Sequence, residues 1–78
     1  MKKTLAEFVV GESGKVLGFA KGSISYRQKL LSMGLIKGTD FKVTRVAPMG
    51  DPVEIIVRDY KLSLRKQEAG ALIVEGVL

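Results

Sequence analysis

Nine glycines, at positions 11, 14, 18, 22, 34, 38, 50, 70 and 76, constrain this chain more than any other feature. The pieces between them are too short for a helical bundle, whereas brief strands joined by tight turns fit well. With 78 residues the chain has room for one small domain, 1–78, and no second. A chain of this size buries roughly 60% of the surface its unfolded form exposes, so nearly every apolar residue must serve the core.

The pattern between the glycines predicts a mainly β fold with one inserted helix. Leu5-Ala6-Glu7-Phe8 fits either a brief helical turn or an entering strand. After a turn over Gly11-Glu12-Ser13-Gly14, the first clear strand is Lys15 to Ala20. An amphipathic helix is predicted from about Tyr26 to Met33, because Ser25 and Gln28 have the spacing of a capping box. Gly34 ends it in a left-handed conformation that brings Leu35 back over Leu30. Tyr26, Leu30 and Met33 share its inner face with Leu31 beside it, leaving Arg27, Gln28, Lys29 and Ser32 toward water as a basic outer face.

The second half reads as strands. In Asp40 to Val46 the apolar alternation at 41 and 43 slips phase to 46, the signature of a bulge or strong bend. Val53, Ile55 and Val57 alternate, as do Tyr60, Leu62 and Leu64, so a turn at Arg58-Asp59 pairs Val57 with Tyr60, Ile55 with Leu62 and Val53 with Leu64. Neither turn residue is the glycine that a primed turn prefers. A short helical turn near Lys66 to Gly70 precedes a final strand, Ala71 to Val74.

Composition narrows the chemistry. The absence of Cys removes disulfides and thiol chemistry, and the absence of His removes the usual neutral-pH base and the commonest metal ligand. No catalytic residue, cofactor or metal site is assigned, and the chain is not expected to be an enzyme. Gly11-Glu12-Ser13-Gly14-Lys15 superficially resembles a phosphate loop, but Val9 stands where that motif needs glycine and Val16 where it needs Ser or Thr. The eight carboxylates have no metal-ligand spacing on a helix face, and Glu7, Glu12, Glu54 and Glu75 read as solvated surface. Of Met1, Met33 and Met49, Met33 belongs to the core face of the helix and Met49 to a loop. That loop, Ala47-Pro48-Met49-Gly50-Asp51-Pro52, is stiffened by two prolines and offers a flexible apolar tip suited to partner contact, although a plain hairpin connection needs similar turn chemistry.

A formal net charge of +5 implies attraction to something acidic. Lys42, Arg45, Arg58, Lys61 and Arg65 could line strands of a nucleic-acid-binding barrel, but three Phe and two Tyr, mostly in phase with the core, leave few rings for stacking. Nucleic acid is therefore disfavoured. The N-terminus starts like a signal peptide but meets Glu7 before an apolar stretch forms, and the longest apolar run, Ala71 to Val74, is far short of the ~20 residues that span a bilayer. A cytoplasmic setting is expected, with membrane contact only through a partner.

The run Tyr26-Arg27-Gln28-Lys29-Leu30-Leu31-Ser32-Met33-Gly34-Leu35, then Gly38, then Val46-Ala47-Pro48-Met49-Gly50-Asp51-Pro52, then Leu64-Arg65-Lys66-Gln67-Glu68-Ala69 resembles the ferrous iron transport protein A, or FeoA, family. Lys37 and Asp59 depart from its usual proline and glycine at turn sites. The resemblance implies an SH3-like small β-barrel with an inserted helix. It also implies an accessory, regulatory role in bacterial ferrous iron uptake through contact with a FeoB-type membrane transporter that carries a cytosolic GTPase domain. The expected contact residues are Arg27 and Lys29 on the helix, Ala47, Pro48, Met49, Gly50, Asp51 and Pro52 in the loop, and Arg65. A stronger version has one arginine reaching the transporter's GTPase site in trans. The competing readings are a nucleic-acid-binding small barrel and a detached metal-responsive SH3-like module of the kind appended to iron-dependent repressors.

Overall fold

Strands that alternate apolar and polar residues can bury one face only by pairing in a register that keeps the apolar side chains together. The computed structural model, which describes residues 2–22 and 24–77, shows that register in the second half of the chain. Strand β4 (Val53–Val57) pairs antiparallel with β5 (Tyr60–Leu64), with Val57 opposite Tyr60, Ile55 opposite Leu62 and Val53 opposite Leu64, as predicted. The turn between them has a left-handed residue, Arg58 at φ 55°, while Asp59 is not left-handed. Strand β3 (Asp40–Val46) pairs with β4 and shifts register between Val43 and Arg45, which is the predicted bulge. The extra residue is Thr44, whose Oγ1 donates to the Glu54 carbonyl at 3.2 Å.

The remaining strands are longer than the sequence pattern suggests. Strand β2 spans Ser13–Phe19 and β6 spans Leu72–Val77, and an unforeseen β1 (Lys2–Thr4) precedes a 3-10 turn at Leu5–Glu7. The antiparallel order is β1-β6-β2-β3-β4-β5, which leaves β1 and β5 as the edges. Ser13 and Gly14 thus belong to a strand, not to a turn, and the glycine serves packing. A Cβ on Gly14 would lie 2.7 Å from the Glu75 carbonyl oxygen and 2.8 Å from the Phe41 ring, where Phe8 and Phe41 pack with centroids 5.4 Å apart.

Helix α1 spans Ile24–Ser32, two residues earlier than predicted at its start, so Ser25 lies in the first turn and is not the capping residue. Met1, Ser23 and Leu78 lie outside the described residues. The C-terminus follows the predicted Schellman pattern: Leu35 N–H donates to the Leu30 carbonyl at 3.1 Å and Gly34 N–H to that of Leu31 at 3.0 Å. Gly34 sits at φ 87°, the left-handed region that this ending requires. Leu30 and Leu35 are both buried, but Tyr26 and Leu31 are exposed, which corrects the expectation that Tyr26 faces the core. Helix α2 spans Lys66–Gly70, as predicted. The core joins Leu5, Leu30, Leu35, Ile55, Leu64, Leu72 and the inward valines of β2, β3, β4 and β6. Burying a side chain of that type is worth about 1.5–3 kcal/mol, so the sheet holds most of the stability.

Candidate functional site

Ala47 to Pro52 connects β3 to β4, and its conformation follows from the prolines at each end. Pro48 opens a single 3-10 turn, Gly50 N–H donates to the Ala47 carbonyl at 2.9 Å, and Ala47 N–H donates to the Pro52 carbonyl at 3.0 Å, closing the loop on itself. Met49 stands at the tip with φ 68° and ψ 12°, and it is 92% exposed. A left-handed backbone is uncommon for a residue with a long side chain and costs about 1 kcal/mol or more. The loop therefore holds an apolar side chain in water by means of an unfavourable backbone.

Asp51 fixes the loop to the start of α2. Its Oδ1 lies 3.6 Å from Arg65 Nε and accepts the Lys66 backbone N–H at 3.3 Å. A pair this exposed is worth about 0–1 kcal/mol, so its effect is to set the position of the loop. Glu68 continues the chain of contacts: it is 5% exposed, accepts the Arg65 N–H through Oε1 at 2.8 Å, and pairs through Oε2 with Lys29 Nζ of α1. Burial pushes the Glu68 carboxyl up, but the hydrogen bonds from Lys29 and the Arg65 N–H, with the charges of Lys29 and Arg65, outweigh it and hold the group below the usual carboxylate value.

The expected contact residues are thus only partly brought together. Ala47, Pro48, Met49, Gly50, Asp51 and Pro52 join Arg65 directly, and Lys29 joins them through Glu68. Arg27 does not, because two residues turn a helix by about 200°. It points the other way, with its guanidinium carbon 5.7 Å from the Phe19 ring centroid. The predicted basic outer face is therefore split into two attachments of the helix, one to α2 and one to β2.

Two features escaped the sequence reading. Glu68 is the buried pin of the site, and its position three residues after Arg65 at the start of a helical turn was the available signal. The other is an exposed apolar stripe: Ile24 is 77% exposed and shares a helix face with Leu31, two turns along. Placing the helix start at Tyr26 hid it. Among the described residues, no three Asp or Glu come together as a metal ion would require, and no helix is long and apolar enough to cross a membrane.

Residues 3–76 match the model of the FeoA domain family. The chain is 32% identical over 71 residues to an Fe(2+) transport protein A/Fe(2+) transporter FeoB fusion protein of Porphyromonas gingivalis. That match covers 91% of this chain but 8% of the fusion protein, so the chain spans a small part of its curated relative. The NMR structure of a FeoA-like protein from Clostridium acetobutylicum superposes with a TM-score of 0.89 at 39% identity, covering 99% of this chain and 88% of that one. A crystal structure of Stenotrophomonas maltophilia FeoA complexed with zinc, described as a prokaryotic SH3 domain protein, gives a TM-score of 0.77 at 24% identity, over 92% of this chain and 88% of that one, and supports the fold alone. The fold is the mainly β, SH3-like one.

Proposed function

This chain belongs to the FeoA domain family, and from that premise we propose that it is a cytoplasmic accessory protein of ferrous iron uptake. In this reading it binds and regulates a FeoB-type transporter, at its GTPase domain or membrane-proximal face, and ferrous ion is the transporter's cargo. The fusion of the two proteins in Porphyromonas gingivalis supports association, since joined chains place such a domain beside its transporter. The observation that carries the reading is Met49, an apolar side chain held 92% exposed on a strained, braced loop. Strained backbone at an exposed tip is characteristic of recognition sites, and methionine adapts to the surface it meets.

Arg65 acts here as a positioning residue, because its Nε lies against Asp51. A trans-acting arginine would instead raise single-turnover GTP hydrolysis by the transporter's G domain. Co-purification with the full-length transporter tests the surface. Met49→Asp is expected to reduce recovery strongly, because it places a charge at the centre of an apolar contact, and Arg27→Glu is expected to reduce it less. Equal recovery of the native chain and both variants would remove this surface.

A further inference from the structure

A row of side chains on the outer face of the sheet has no part in the loop site. The register sets Ser13, Lys42, Ile56 and Lys61 side by side across β2, β3, β4 and β5. A shallow groove of about 370 Å³ lies along the Ser13–Lys42–Ile56 part of this row, lined also by Asp40 and Arg58, and Lys61 continues the row on the next strand. Ile56 is half-buried at its centre, with exposed Lys42 on one side and exposed Lys61 on the other. Strands lie about 4.8 Å apart, so the two lysine backbones are roughly 10 Å apart, the length of about three residues of extended chain.

The charge distribution indicates the occupant. The carboxylates of Glu12, Asp40, Asp51 and Glu68 are paired within the molecule with Lys3, Lys15, Arg65 and Lys29, and Glu54 accepts from Thr44. Among the described residues, Lys42, Arg58 and Lys61 make no ion pair. One carboxylate, Asp40, lines the groove and is held 3.9 Å from Lys15, and none lies in the row itself. We propose that this groove docks an extended acidic segment of another protein, with an apolar side chain on Ile56 and carboxylates on Lys42, Lys61 and Arg58.

A peptide suits the site better than a membrane or nucleic acid. The exposed apolar residues that would enter a bilayer, Val9, Val10, Ile24, Leu31, Ile36 and Met49, do not line the groove, and neither do the two exposed aromatics, Tyr26 and Tyr60. The proposal is independent of the Met49 loop, so either can fail without the other.

Fluorescence anisotropy of the intact chain tests it. The probes are a short labelled peptide with carboxylates on both sides of a central leucine and its counterpart with Asn and Gln in their place. The acidic peptide is expected to bind at least about tenfold more tightly than the amide one, with affinity falling as salt rises. Lys42→Gln and Lys61→Glu are each expected to remove most of that difference, while Lys21→Glu, the same charge change as Lys61→Glu placed before α1, leaves it in place. Circular dichroism establishes that each variant keeps its sheet. Equal or absent binding of the two peptides, or native affinity in the Lys42 and Lys61 variants, would overturn the proposal. So would tighter binding, through the same lysines, of phosphatidylserine vesicles or a single-stranded oligonucleotide.

Discussion

Met49 and Gly34 both occupy left-handed backbone, at φ 68° and 87°, but the two have different consequences. At Gly34 the conformation ends a helix and costs little, because glycine has no Cβ. At Met49 it costs about 1 kcal/mol and gains no burial, since the side chain is 92% exposed. Met49→Gly separates the two possible roles of this residue. Relief of strain is offset by the greater freedom of glycine in the unfolded chain, about 0.5–1 kcal/mol. Stability should therefore stay within about 1 kcal/mol of the native value, as read from the urea midpoint, while recovery with the transporter falls. A loss above about 2 kcal/mol would mean that Met49 packs in the fold, and undiminished recovery would take it out of the contact.

Helices α1 and α2 are coupled through one ion pair, Lys29 with Glu68, and that coupling should be visible in the pH dependence of stability. Glu68 has a folded-state pKa below its unfolded value. Its contribution is therefore fully present above the ordinary carboxylate range and is lost as pH falls through the depressed folded value. Lys29→Met leaves burial and the Arg65 N–H in place but removes the opposing cation, so the folded-state Glu68 carboxyl rises back toward its unfolded value and this group's acid loss becomes smaller. Because Lys29 is more than half exposed, the loss at neutral pH should be only about 1 kcal/mol. Glu68→Gln should abolish this group's share of the pH dependence. Urea midpoints between neutral pH and about pH 3 check all three chains, and a Lys29→Met profile parallel to the native one would exclude the coupling. Sequence reading does not find this pair because Lys29 and Glu68 lie on separate elements, and their approach depends on how α1 crosses the sheet. It finds the Leu30–Leu35 contact readily, since that contact is local to one helix end.

For the whole molecule, legibility follows the range of the interactions. The β4–β5 register was readable because alternation and a two-residue turn leave only one way to bury Val53, Ile55, Val57 and Leu64. Strand β1 was not, because Lys2 to Thr4 carries no apolar pattern and its partner is β6, at the far end of the chain. The same division sets the distribution of stability. Strand β2 lies between β6 and β3 in the middle of the sheet, whereas Leu30 is the buried residue of α1. The helix is otherwise attached by the Lys29–Glu68 pair, by Arg27 over Phe19, and by Tyr60 Oη donating to the Met33 carbonyl at 3.3 Å. Few buried contacts mean that α1 can open without unfolding the sheet. Its amides should exchange with deuterium at least about tenfold faster than those of β2 under native conditions, a gap of about 1.4 kcal/mol in opening free energy. Lys29→Met should widen that gap by speeding α1 alone. Equal protection of α1 and β2 would show that the helix opens only with global unfolding. A helix that opens locally can reposition Ile24 and Leu31 when a partner docks, leaving the sheet, the braced loop and the lysine groove undisturbed.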